Sequence, residues 1–153
     1  MDVSIAAVKA ALHRGRARLR DLAQESENIA PLVLSESQRS LLAAYVERFN
    51  ARDFDAVRDM LADEVRLDLV AKFRKKGRAE VAGYFNNYAR LEDWRLIPGL
   101  VDRYPAVLVR DPSDPIGKPV YFILLQWEDR RVANIRDFRF ARYATEGAEL
   151  SIL

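Results

Sequence analysis

The spacing of apolar residues changes period along this chain, and the order in which the two periods occur limits the folds open to it. Leu41, Leu42, Tyr45, Val46 and Phe49 recur three and four residues apart, as on one face of a helix. Ser35 with Gln38 fits a capping box that opens this helix, and Asn50-Ala-Arg-Asp53 breaks it. Phe54, Val57, Met60 and Leu61 mark a short second helix, and Val81, Tyr84, Phe85 and Tyr88 a third over 78–91. Val65, Leu67 and Leu69 alternate with Arg66 and Asp68, the period of a strand. Strand-like stretches follow in series at about 93–103, 105–110, 119–128 and 132–143. On 119–128 both faces are rich in apolar groups, so parity does not say which face points inward. Lys72 to Gly77 reads as a basic turn. The run 110–117, with two prolines and a glycine, reads as a hairpin connection. The order helix, helix, strand, helix and then strands predicts an α+β fold: a curved antiparallel sheet with about three helices on one face.

Composition narrows the chemistry. The 153 residues, half of them hydrophobic, suffice for one domain with a short appendage. There is no cysteine and a single histidine, His13. Disulfides, a thiolate nucleophile, a cysteine zinc site and a multi-histidine metal site are thereby excluded. No phosphate-binding glycine loop and no dense acidic cluster occurs, so neither a cofactor nor a metal is expected. No apolar run approaches the ~20 residues that cross a bilayer, and the start lacks the form of a signal peptide. These features predict a cytoplasmic protein with no membrane contact.

The net charge of +2 hides an asymmetry. Residues 1–22 hold five basic side chains, Lys9, Arg14, Arg16, Arg18 and Arg20, against Asp2 and Asp21. The rest of the chain holds 20 basic and 21 acidic residues. Ile5, Val8, Leu12, Leu19 and Leu22 form an apolar stripe, with Ser4 as cap, which predicts a basic amphipathic helix over 4–23. Such a segment suggests a nucleic-acid contact, a basic tail or simply a solvated helix face. Residues 24–35 lack periodicity and contain Pro31, and they read as a linker. The expected organisation is residues 1–23, a linker 24–35 and a domain 36–153.

Two resemblances follow. Ala7-Val8-Lys9 and Leu12-His13-Arg14-Gly15-Arg16-Ala17-Arg18 resemble the last helix of region four in extracytoplasmic-function sigma factors. In that family it is the recognition helix of a helix-turn-helix. The likeness implies that Lys9 and His13 face the DNA groove, with Arg14 and Arg16 nearer phosphates. The other sigma regions are not in this sequence. Residues 36–146 resemble the SnoaL-like polyketide cyclase group, within the cystatin-like cone superfamily that includes ketosteroid isomerase. The carriers are the run 42–50, Asp53-Phe-Asp-Ala-Val57, Leu61-Ala-Asp-Glu-Val65 and Gly77-Arg-Ala-Glu80. Some extracytoplasmic-function sigma factors carry such a domain as a C-terminal extension. The two likenesses together imply a regulatory extension without catalysis. Its partners would be the sigma domains, RNA polymerase, promoter DNA through residues 4–20, a small apolar ligand and a second copy of itself.

A cone pocket between sheet and helices would draw its lining from Asp68, Tyr84, Tyr88, Trp94, Tyr121, Gln126, Trp127, Asp137 and Arg139. The alternative function is a small isomerase or cyclase. Asp68, between Leu67 and Leu69, would then be the general base and Tyr84 or Tyr88 the oxyanion donor. The plainer alternative has Asp68 in solvent or paired with Arg66, Arg136 or Arg139. The alternation in Ile135-Arg-Asp-Phe-Arg-Phe140 suggests an edge strand, with Asp137 and Arg139 as an internal ion pair or as contacts to a partner. The discriminating observation is where Asp68 points, and whether Trp94, Tyr121 or Trp127 fills the cone.

Overall fold

Ser35 caps the first element of the computed structural model, which describes residues 35–153. Its hydroxyl accepts from the Gln38 N–H at 3.1 Å, and the Gln38 side chain accepts from the Ser35 N–H at 2.9 Å. The expected capping box is therefore formed, and it opens helix α1, Glu36–Asn50. Leu42, Tyr45, Val46 and Phe49 are its buried face. Asn50 ends the helix and ties it to the sheet, its side chain donating to the Leu96 carbonyl and accepting from the Leu96 N–H, both at 2.8 Å. Asp53 then caps the short α2, Phe54–Arg58. Between them Arg52 adopts a positive φ of 60°, which turns its side chain across to the end of α3, Arg78–Arg90. There it donates to the carbonyls of Ala89 at 2.9 Å and Leu91 at 2.7 Å, acceptors that a helix end leaves open. Gly77, at a φ of 89°, lets the chain enter α3 through a conformation that other residues avoid.

The seven strands are β1 (Leu61–Leu69), β2 (Phe73–Lys76), β3 (Arg95–Val101), β4 (Tyr104–Arg110), β5 (Tyr121–Glu128), β6 (Arg131–Asp137) and β7 (Leu150–Ile152). They form one sheet in the order β2-β1-β6-β5-β4-β3-β7. Neighbours are antiparallel except β1 and β6, which run parallel. The pleat sorts side chains into cross-strand rows. Leu67, Ile135 and Leu125 form one row and Leu69, Asp137 and Ile123 the next, and both face the helices. The intervening rows, Arg66-Asn134-Gln126 and Asp68-Arg136-Leu124, face the other way.

That outer face is divided. Over β3, β4 and β5 it carries a second core of Leu108, Phe122 and Leu124. Phe138, Ala141 and Ala144, from the segment after β6, cover this core, with the Phe122 and Phe138 rings 4.5 Å apart. β5 is thus buried on both sides, which is why its parity was uninformative. Four expectations are corrected here. The second helix stops at Arg58, and Leu61, read as its last apolar residue, opens β1. Residues 73–76 of the supposed basic turn form β2, the edge strand. The last long strand stops at Asp137, and the chain then folds back as a 3-10 turn, Arg142–Thr145, and β7. The run 135–140 is no edge, because β6 lies between β1 and β5. The readings of residues 1–23 and most of the linker lie outside the described residues, as do Lys9, His13, Arg14 and Arg16.

Candidate functional site

The inward row from β6 places a carboxylate in the middle of the core. Asp137 is 0 % exposed, in a neighbourhood of leucines, valines and aromatic rings. Helix α3 supplies its donors, because Tyr84 and Tyr88 are four residues apart and share one helix face. Tyr84 donates to Asp137 Oδ2 at 2.7 Å and Tyr88 to the same oxygen at 2.6 Å. The backbone N–H of Arg139 donates to Oδ1 at 2.8 Å. The Tyr88 proton being used on Asp137, its hydroxyl accepts from Tyr121 at 2.8 Å. The Tyr121 hydroxyl in turn accepts from Arg139 Nη1 at 3.1 Å. The Arg139 guanidinium meets Asp93 through two bonds, 2.6 and 3.1 Å long. A continuous hydrogen-bonded chain therefore runs from the half-exposed Asp93, through Arg139, Tyr121 and Tyr88, to the buried acid.

Burial raises the Asp137 pKa from its usual range, and the two tyrosine hydroxyls and the Arg139 N–H pull it back only partly. Burial likewise raises Tyr45, Tyr84 and Tyr88, with the charge of Asp137 adding to it, so these phenols stay protonated. Tyr121 is pushed up to about 12 by the same two causes, moderated by Tyr88 and Arg139. Asp93 is held low by its bond to Arg139. The Arg139 pKa is raised: burial works against it, but Asp93 and Tyr121 outweigh burial.

Of the residues expected to line the cone, Tyr84, Tyr88, Trp94, Tyr121 and Asp137 meet in its interior. Trp94 donates to the Tyr88 carbonyl at 3.1 Å and packs edge-on against Phe49. Arg139 joins them through Tyr121 and Asp93, and Trp127 is half-buried beside Tyr45. Asp68 and Gln126 do not join them. Both lie on the outer face, where Asp68 sits 3.7 Å from Arg74 and 3.6 Å from Arg136. Asp68 is therefore not placed to act as a base in the cone. Nor do Asp137 and Arg139 pair with each other through their side chains: tyrosines hold the first and Asp93 the second. Two participants were not legible. Tyr45 read only as part of an apolar stripe, yet its hydroxyl is buried without a hydrogen-bond partner. Asp93, read as the start of a strand-like stretch, lies in the loop before β3.

A buried acid among neutral O–H donors is the equipment of proton transfer to a carbonyl compound. Here the donors and the acid are bonded to one another, and the rings of Phe49, Tyr84, Tyr88 and Trp94 pack edge-on against each other around them. Two open grooves, of about 850 and 620 Å³, are both on the opposite side of the sheet.

This architecture is the SnoaL-like α+β cone. A putative polyketide cyclase from Xanthomonas campestris superposes with a TM-score of 0.52 at 19 % identity, over 74 % of this chain and 98 % of the other. A SnoaL-like protein of unknown function from Burkholderia thailandensis does so at 0.52 and 17 %, over 77 % and 98 %. A protein from a soil-derived mobile gene cassette matches at 0.55 and 13 %, over 74 % and 96 %. At these identities the likeness concerns the fold. No family model matches the sequence, and no curated protein does. No helix among the described residues is long and apolar enough to cross a membrane.

Proposed function

We propose that this chain is the C-terminal part of an extracytoplasmic-function sigma factor, whose SnoaL-like domain regulates transcription initiation and catalyses no reaction. The burial of Asp137 carries the non-catalytic reading. A general acid or base works within about 2.6–3.2 Å of its reactant. Asp137 is 0 % exposed, and its three bonds go to Tyr84, Tyr88 and Arg139 of its own chain. A small apolar ligand would have to displace Trp94 or Tyr121. The sigma reading rests on the string from Ala7 to Arg18, with Lys9, His13, Arg14 and Arg16 toward DNA. The cone then acts as a rigid body against the sigma domains and polymerase.

The test is transcription in vitro by the parent sigma factor with and without residues 36–153, beside a turnover assay of this chain on a β,γ-unsaturated ketone. The expected result is a several-fold change in promoter output and no turnover above buffer. Unchanged output refutes the regulatory reading. A second reading, an isomerase or cyclase, is favoured by one observation: a carboxyl in an apolar box with two tyrosine donors within 2.7 Å. Turnover that disappears in Asp137→Asn would establish it and exclude the first.

A further inference from the structure

Among the described residues, the half of the outer sheet face left uncovered is cationic. Residues 35–153 hold 20 lysines and arginines against 19 acidic residues, so the described part is almost neutral. Yet a groove of about 620 Å³ over β2, β1 and β6 gathers Arg66, Arg74, Lys75, Lys76 and Arg136 against only Asp68 and Glu80. Elsewhere the described residues are therefore slightly acidic. Two cross-strand rows build the groove floor. In one, Arg74, Asp68 and Arg136 alternate in sign, and Asp68 lies within 3.7 Å of both cations. In the other, Lys76 lies directly opposite Arg66, with Asn134 beyond. Like charges placed opposite each other across strands are destabilising. Among the described residues no carboxylate forms an ion pair with Arg66, Lys75 or Lys76. All four residues of β2 are exposed.

We propose that this groove is a second DNA contact, binding the phosphate backbone of double-stranded DNA through Arg66 and Lys76. The occupant follows from charge. A polyanion relieves the Arg66–Lys76 repulsion, whereas a second copy would set one cationic face against another. Phosphate contacts carry no sequence information, so the groove adds affinity and salt dependence rather than promoter choice. This inference extends the sigma reading, because it places a backbone clamp on the body that follows the recognition-helix string.

The test uses the full chain and a labelled 30-base-pair duplex of arbitrary sequence, read by fluorescence anisotropy at several salt concentrations. Three variants are compared: Arg66→Gln/Lys76→Gln in the groove, Arg39→Gln/Arg48→Gln elsewhere on the surface, and Arg14→Gln/Arg16→Gln in the N-terminal string. The groove variant is expected to bind at least tenfold more weakly near 0.1 M salt. Its salt slope should fall by about 2, at roughly 0.9 per lost phosphate contact. The melting temperature should be unchanged or higher, since a repulsive pair is removed. An equal loss in the groove and surface variants overturns the proposal as unspecific charge. Loss only in the N-terminal variant overturns it and leaves the sigma reading standing. Loss only in the groove variant supports it and removes the recognition-helix reading. Binding of a glutamate-rich peptide more tightly than the duplex, or dimerisation lost in the groove variant, overturns it in favour of a protein partner.

Discussion

Asparagine in place of Asp137 separates a protonated hub from an ion-paired one. The substitution keeps the shape but replaces one acceptor with an N–H₂ donor. If the amide oxygen faces Tyr84 and Tyr88, the amide nitrogen meets the Arg139 N–H, which now donates to Oδ1 at 2.8 Å. If the amide is reversed, the two tyrosine protons lose their acceptor. Either orientation leaves a buried donor unsatisfied, at a cost of about 1–3 kcal/mol. The pH dependence carries the sharper information. Burial raises the folded pKa of Asp137 above its ordinary 3.8. The unfolded chain then releases its proton first as pH rises. The stability contributed by the neutral acid is fully present below 3.8 and is lost as pH climbs through the folded pKa, at up to about 1.4 kcal/mol per pH unit. Asparagine does not titrate, and the other groups, shared by both proteins, cancel in the difference. The stability of the wild type relative to the variant should therefore be greatest near pH 4.5 and should fall toward pH 8.5. Urea unfolding followed by the fluorescence of Trp94 and Trp127 measures it. A gap that widens with pH would refute the reasoning, because it would mean that the fold favours the ionised form, through Arg139.

Three further outcomes follow from the packing. Tyr45→Phe removes a buried hydroxyl without a partner, so stability should be unchanged or higher by about 1 kcal/mol in the same urea titration, and a loss above about 2 would show that the hydroxyl is satisfied. Gly99→Ala would put a methyl 2.6 Å from the Ser151 carbonyl and from Leu108; calorimetry should show about 1–3 kcal/mol of destabilisation, and a neutral result would mean that β7 does not lie against β3. Asn50→Ala deletes both bonds to Leu96 and should cost about 1–3 kcal/mol, with faster hydrogen exchange at the Leu96 N–H; unchanged exchange there would contradict the tie.

The helices and most strands were legible because each buries one face, so that Leu42, Tyr45 and Phe49, or Leu67 and Leu69, carry the period of their element. Legibility failed where burial is two-sided or absent. β5 packs on both faces, and β2 packs on neither, so its Phe-Arg-Lys-Lys has no alternation to read. The hub was half visible. Tyr84, Tyr88, Tyr121 and Asp137 were all candidates, but only register shows that Asp137 points inward while Asp68, on the adjoining strand, points outward. One residue of offset between the Asp68–Arg136 and Leu69–Asp137 rows decides it. Asp93 escaped because an ion pair between a loop and a chain reversal leaves no local trace.

The parallel pairing of β1 with β6 also sets the order in which a nascent chain can finish itself. Residues 61–69 have no inner neighbour in the sheet until residues 132–137 are made. The same late strand brings the acid that α3 has been waiting to grip. Contacts this distant along the chain close slowly, and until they do the apolar side of β1 is open to wrong partners. A polypeptide interrupted before Asp137 would thus lack both the partner of β1 and the acid that Tyr84 and Tyr88 bind, and its interior would stay unfinished.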